Sequence, residues 1–133
     1  MDYKVEHIGI AVKDLAKSIP LFEKLLGSPC YKTENVASEA VNTAFFLKQN
    51  TKIELLESTD PAGVITKFID IKGEGMHHIA FEVPDIIVEM ERLKKEGFRL
   101  LNDAPKKGAD NKLVCFVHPK DTNGVLIELC QSI

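Results

Sequence analysis

The chain contains one short motif twice, and this repeat constrains its fold more than any other feature. Residues 7–14 read His-Ile-Gly-Ile-Ala-Val-Lys-Asp and residues 78–85 read His-Ile-Ala-Phe-Glu-Val-Pro-Asp, at an offset of 71 residues. Each copy alternates apolar residues with small or polar ones, which is the period of a β-strand. A repeat of this kind indicates one supersecondary unit that is built twice.

A helical pattern follows each copy of the motif. Apolar residues recur at helical spacing from Leu15 and again from Ile86, and each pattern begins after an aspartate and stops at a glycine, Gly27 or Gly97. Aspartate is a favoured N-cap, and glycine is common just after a helix. Pro20 lies inside the first pattern, so we expect a kink or a late helix start there.

Two strand-like segments then close each half of the chain. They cover residues 40–48 and 51–57 in the first half, and residues 113–118 and 124–130 in the second. A short helical pattern at residues 64–71 lies between the halves. The sequence therefore predicts two tandem βαβββ modules in one domain spanning residues 1–133. We place module one at about residues 1–58, a linker at about 59–75 and module two at about 76–133.

The composition is typical of an ordinary globular protein. Its 133 residues, 44 % hydrophobic and 28 % charged, suit one domain with a real core. A net charge of −3 without a basic run predicts no positively charged surface that would bind nucleic acid or an anionic membrane. We find no signal-peptide pattern and no apolar run near the ~20 residues that span a bilayer. Three separated cysteines indicate reduced thiols, and we expect a cytoplasmic protein.

Two histidines and two glutamates occupy matching positions in the two halves. His7 and His78 open the repeated strand motif, on the face opposite to its apolar residues. Glu54 and Glu128 each stand in an Ile-Glu-Leu triplet of a closing strand, so each carboxylate also points away from the apolar face. If the halves pair about a pseudo-two-fold axis, all four side chains meet at that axis.

Two imidazoles and two carboxylates suit a divalent cation. Co²⁺, Ni²⁺, Mn²⁺, Fe²⁺ and Zn²⁺ all accept mixed nitrogen and oxygen ligands, and the ligand types do not choose among them. A single such histidine or glutamate is usually structural or solvent-facing, and it is the duplication of both that favours a metal site. His77 falls on the apolar face of its strand and is interpreted as structural. His118, at a strand end before Pro119, is a candidate for substrate contact.

Four phrases of the sequence resemble the vicinal oxygen chelate superfamily, which includes glyoxalase I and methylmalonyl-CoA epimerase. The resemblance covers nearly the whole chain, and the epimerases match it best. The phrases are VEHIGIAV at 5–12, KIELLE at 52–57, GEGMHHIA at 73–80, and FVHPK followed by GVLIEL within 116–129. The His-His pair and the His-Pro-Lys phrase are the most specific, because glyoxalase I generally lacks them.

The resemblance implies a fold and a set of partners. The fold is α+β, with the two modules pairing into a curved eight-stranded mixed sheet around a central metal site. The cofactor is one divalent ion per site, with Co²⁺ the first choice and Ni²⁺, Mn²⁺ or Zn²⁺ possible. The substrate is a CoA thioester, the assembly is a homodimer, and neither nucleic acid nor membrane is a partner.

The resemblance also implies interconversion of (2R)- and (2S)-methylmalonyl-CoA by removal and return of the α-proton. That proton is too weakly acidic for a free carboxylate, so a cation that stabilises the enolate is required. Epimerisation needs an acid/base group on each face of the planar intermediate. In the family, one is the last metal-binding glutamate, which matches Glu128. The other is best matched by Glu39, with Glu34 as the next candidate, although Ala40 stands where the family usually has glycine.

Three other functions belong to the same superfamily. Glyoxalase I isomerises a hemithioacetal of methylglyoxal and glutathione through an enediolate that a metal ion stabilises in the same way. It is the alternative to the epimerase. Non-catalytic binding modules usually lack the metal quartet. An Fe²⁺ extradiol dioxygenase needs two histidines and one carboxylate, which leaves Glu54 without a role.

Overall fold

The computed structural model describes residues 3–133, which divide into two units. One unit is His7–His77, and the other combines the chain up to Glu6 with His78–Ile133. Strands β1 (Lys4–Ala11) and β5 (Gly75–Glu82) each run across a boundary between the units. No helix among the described residues is long and apolar enough to cross a membrane.

The first unit contains one copy of the predicted module. After β1 it comprises α1 (Leu15–Leu26), β2 (Lys32–Val36), β3 (Val41–Lys48), β4 (Thr51–Ser58) and α2 (Val64–Lys72). The strand order is β2-β3-β4-β1. Neighbours β2, β3 and β4 pair antiparallel, whereas β4 and β1 pair parallel.

The second unit repeats this arrangement. After β5 it comprises α3 (Ile86–Lys95), β6 (Lys106–Lys107), β7 (Lys112–Val117) and β8 (Ile127–Ser132). The strand order is β6-β7-β8-β5, with the β5–β8 pair parallel and the other two pairs antiparallel. The prediction of two tandem βαβββ modules, with eight strands in parallel and antiparallel pairings, is confirmed.

Helix ends follow the predicted capping. Asp14 Oδ1 accepts from the Lys17 backbone N–H at 3.4 Å, and Asp85 Oδ1 accepts from the Val88 N–H at 3.2 Å. Gly27 ends α1 in the left-handed region at φ 64°. Of the two outcomes expected at Pro20, a kink or a late helix start, the late start is wrong, because α1 begins at Leu15 and continues through the proline.

Strand boundaries differ from the predictions for local reasons. The final strand begins at Ile127 rather than near residue 124, because the Gly124 N–H bonds to the Pro119 carbonyl and closes a turn. Strand β3 begins at Val41 because Ala40 has a left-handed backbone, φ 54°. The short strands β2 and β6 were not located from the sequence. They are polar edge strands, which carry little apolar alternation.

Each helix packs on the apolar face of its own strands. In the first unit Leu15 of α1 lies with Phe46 and Leu55, and in the second unit Met90 of α3 lies with Leu129. Complete burial of a side chain of this size is worth about 1.5–3 kcal/mol. These two clusters hold the strands with their other face, the one bearing the predicted ligands, turned away from the helices.

A buried carboxylate connects the start of β1 with α3. Glu89 is 2 % exposed, and its Oε2 accepts from the Tyr3 hydroxyl at 2.5 Å and from Arg92 Nε at 2.9 Å. Burial alone would raise the pKa of Glu89, but the hydrogen bonds from Tyr3 and Arg92 outweigh it and lower the pKa. The ionised form is therefore the one that stabilises the fold.

We expect Glu89→Gln to lower the free energy of unfolding at pH 7 by about 1–3 kcal/mol, because the charged acceptor is lost. Since the folded-state pKa of Glu89 is depressed, its stabilisation is complete above the unfolded value of about 4.3 and is lost as the pH falls through the folded value. Urea unfolding of Glu89→Gln and of the exposed control Glu91→Gln at pH 7 and pH 3 measures this. If Glu89→Gln lowered the free energy of unfolding by the same amount at both pH values, the result would contradict this role of the ionised Glu89.

Candidate metal centre

The first buried histidine–glutamate pair lies in the first unit. His7 on β1 and Glu54 on β4 are 6 % and 4 % exposed, and His7 Nε2 lies 3.3 Å from Glu54 Oε2. The parallel β1–β4 register places Gly9 opposite Glu54 on one side, and the antiparallel β3–β4 register places Phe45 opposite it on the other. Glu54 thus has a residue without a side chain on one side and a fully buried phenylalanine on the other.

The second pair repeats this arrangement in the second unit. His78 on β5 and Glu128 on β8 are each 5 % exposed, and His78 Nε2 lies 3.4 Å from Glu128 Oε1. Ala80 is opposite Glu128 on one side and Phe116 on the other. The Phe116 ring meets the His78 imidazole edge-on, with centroids 6.0 Å apart.

The structure thus places all four predicted ligands in two equivalent pairs. Burying a carboxylate costs free energy unless a charge or hydrogen bonds compensate it, and a neutral imidazole compensates only in part. Nitrogen and oxygen donors held this way are a common first coordination sphere for divalent transition metals. The donor set therefore fits the cation that the sequence predicts.

Sequence reasoning did not identify the two phenylalanines beside the glutamates. Phe45 and Phe116 occupy the same place in the two modules, each on the antiparallel neighbour of the strand that carries the glutamate. A signal was present in Ala-Phe-Phe-Leu and Cys-Phe-Val, but alternation alone does not say which aromatic residue is on which face.

His77 lies on the opposite side of its strand from His78. Its ring packs edge-on against Phe68 of α2, with centroids 4.9 Å apart. Burial, with a smaller contribution from the Lys72 charge, lowers the pKa of His77 to about 4. The imidazole is therefore neutral and packed against the helix, in agreement with its interpretation as structural.

Glu39 and Glu34, the two candidates for the second acid/base group, lie in different settings. Glu39 ends a short 3-10 turn, Ala37–Glu39, directly before the left-handed Ala40, and its Oε1 is shielded from solvent. Glu34 lies on β2 opposite the buried Thr43, and its Oε1 is 3.4 Å from the Lys32 ammonium.

A second polar cluster occupies the same face of the second unit as Glu128 and was not predicted. The Lys112 ammonium donates to Ser132 Oγ at 2.7 Å, and lies 3.5 Å from Glu82 Oε1 and 3.9 Å from Glu6 Oε2. The buried Cys130 stands between this cluster and Glu128 along β8. Burial is the main cause that raises the pKa of the Cys130 thiol, which keeps it protonated.

The family is decided by a match to the Glyoxalase/Bleomycin resistance protein/Dioxygenase superfamily over residues 6–116. The chain belongs to this superfamily. The match includes His7, Glu54 and His78 and ends before Glu128. The predicted resemblance and fold class are both confirmed.

Individual relatives of the chain are named epimerases. An ethylmalonyl-CoA/methylmalonyl-CoA epimerase of Cereibacter sphaeroides is 38 % identical over 130 residues, which cover 96 % of this chain and 97 % of that protein. The crystal structure of methylmalonyl-CoA epimerase from Mycobacterium tuberculosis is 33 % identical, with a TM-score of 0.92 over 97 % of this chain and 87 % of that one. A structure of methylmalonyl-CoA epimerase in complex with methylmalonyl-CoA and NH₄⁺ is 32 % identical, with a TM-score of 0.92 over 98 % and 94 %.

A lactoylglutathione lyase also matches, at lower identity. The protein of Neisseria meningitidis is 26 % identical over 130 residues, covering 95 % of this chain and 88 % of that protein. The relatives thus include proteins named for each of the two activities that the sequence suggests, and the epimerases are the more similar in sequence.

Proposed function

We propose that His7, Glu54, His78 and Glu128 together bind one divalent cation. His7, His78 and Glu128 each offer a buried ligand atom, and Glu54 is buried beside His7. Two carboxylates neutralise the charge of a divalent ion, which removes the cost of burying them. Co²⁺ is our first choice of metal by family resemblance, with Ni²⁺, Mn²⁺, Zn²⁺ and Fe²⁺ also compatible with the ligands.

We propose further that the chain is an isomerase that interconverts (2R)- and (2S)-methylmalonyl-CoA. The observation that carries this is the pair of buried histidine–glutamate sites in a chain 38 % identical to a named epimerase over 96 % of its length. When bound, the cation supplies charge stabilisation for the enolate oxygen, a contribution of several kcal/mol in metal-assisted reactions. We also expect the protein to act in the cytoplasm as a homodimer.

The proton transfers are assigned to two carboxylates of the chain. One carboxylate takes the α-proton from one face of the substrate, and a second carboxylic acid delivers a proton to the opposite face. We assign Glu128 to one face and Glu39 to the other. The position of Glu39 Oε1, which is shielded from solvent, supports this, because an acid/base group held away from bulk water does not lose its proton to the solvent during the transfer. Glu34 is the alternative.

Glyoxalase I activity is the second candidate. A hemithioacetal also has a proton next to a potential enediolate, so the same ligands and bases could serve it. The named relative with this activity shares 26 % of residues, against 38 % for the epimerase. Identity therefore favours the CoA thioester as substrate.

Solvent deuterium exchange tests the proposed reaction. Co²⁺-loaded protein mixed with methylmalonyl-CoA in D₂O should place deuterium at the α-carbon, and a chelator should abolish the exchange because the enolate loses its stabilisation. Mass spectrometry of the thioester measures the exchange, and a chiral assay of the product confirms epimerisation. No exchange by metal-filled protein would exclude the epimerase and make the hemithioacetal the next substrate.

Paired substitutions test the second acid/base group. We expect Glu39→Gln to retain metal and to lower kcat by about 10²-fold or more, since an amide cannot exchange a proton with the substrate. Glu34→Gln is the matched control on the same segment and should keep kcat within about twofold. The reverse order of the two variants in a steady-state epimerisation assay would assign the role to Glu34.

A further inference from the structure

The His-Pro-Lys phrase that distinguishes the sequence is built into a rigid turn between β7 and β8. His118 Nδ1 accepts a hydrogen bond from the Lys120 N–H at 3.1 Å, and Pro119 opens a 3-10 turn, Pro119–Asp121. Asp121 Oδ2 accepts from the Arg99 backbone N–H at 2.8 Å, and Asp121 Oδ1 accepts from the Arg99 guanidinium at 2.8 Å. These contacts fix the backbone that follows β7.

The bond at Nδ1 also fixes the chemistry of the His118 ring. A nitrogen that accepts from a backbone N–H carries no proton, so in the neutral imidazole the proton is on Nε2. No residue in the described range 3–133 forms a hydrogen bond with Nε2. His118 thus presents one oriented N–H donor whose partner is not within the described chain.

Strand alternation places the His118 side chain on the same side of the sheet as Glu128. Phe116 pairs directly with Glu128, so the two side chains share a face. The Val117 side chain is buried in the cluster under α3, on the other face. The backbone at His118 is still extended, at φ −60° and ψ 125°, and strand alternation returns the His118 side chain to the face of Phe116, about 7 Å further along the strand.

We propose that His118 Nε2–H donates to the amide carbonyl nearest the sulfur in the pantetheine arm of the acyl-CoA substrate. This rests on the proposed epimerase function, in which the cation would stabilise the enolate oxygen of the acyl group. The amide is separated from the sulfur by two methylene groups, so it lies outside the reacting centre. His118 lies two residues beyond Phe116, the residue opposite Glu128. It is therefore a substrate-binding residue that recognises the arm, and it takes no part in proton transfer.

Two substitutions separate this role from a merely structural one. His118→Asn keeps an acceptor near Nδ1 that can cap the Lys120 N–H, but it loses the donor at Nε2. His118→Gln keeps an N–H near the position of Nε2 but loses the acceptor at Nδ1. A structural role makes the glutamine variant the more damaged of the two, whereas a binding role makes the asparagine variant the more damaged.

Two short substrates locate the contact. The N-acetylcysteamine thioester of methylmalonate carries the amide in question, and the S-butyl thioester lacks it. We expect His118→Asn to lower kcat/KM for the N-acetylcysteamine thioester about 3- to 10-fold, the value of one neutral hydrogen bond. The same variant should match wild type on the S-butyl thioester, and His118→Gln should stay near wild type on both.

Each other outcome overturns the proposal in a recognisable way. Equal losses on both thioesters would place any His118 contact on the acyl group, and a larger loss for His118→Gln, accompanied by a lower Tm, would make the residue a structural cap only. Absence of wild-type turnover on methylmalonyl-CoA itself would overturn the proposed function, and the assignment of His118 with it.

Discussion

Two carboxylates buried beside two imidazoles are the constraint on which the rest of the structure depends. Glu54 and Glu128 are almost inaccessible to solvent, and each lies within 3.4 Å of a histidine nitrogen. Stability alone does not account for these pairs, because replacing a buried charged pair by well-packed apolar residues of similar volume is often neutral or stabilising. The residues opposite the two glutamates on the histidine-bearing strands are the small Gly9 and Ala80.

The parallel strand pairs make this arrangement possible. In each module the strand that opens the repeat pairs in parallel with the strand that closes it, and so the histidine and the glutamate become near neighbours although 47 or 50 residues separate them in sequence. The helix between them covers the opposite face of the same strands. One face of these strands thus packs into the hydrophobic core, and the other carries the proposed metal ligands.

Most of this could be predicted from the sequence because the chain carries the information twice. Strand alternation in one copy is ambiguous, but two copies with the same facing identified His7, Glu54, His78 and Glu128 and the helices between them. The prediction failed where the local signal is weak. The edge strands β2 and β6 are short and polar, and Ala40 adopts a left-handed backbone that an alanine does not predict. Lys112 pairs with Ser132 where the first module pairs Val41 with Ser58, so the repeat gave no signal for the Lys112 cluster. Whether the chain behaves as one domain stays a prediction.

Metal content after substitution of neighbouring histidines tests the central claim most directly. His78→Ala and His77→Gln differ by one position on β5, but the two side chains lie on opposite faces of the strand. After loading with Co²⁺ and desalting, elemental analysis should find about one ion per chain in wild type and in His77→Gln, and little in His78→Ala, since loss of one of four ligands greatly weakens binding. Full metal occupancy in His78→Ala, in protein whose folding is confirmed by circular dichroism, would contradict the account.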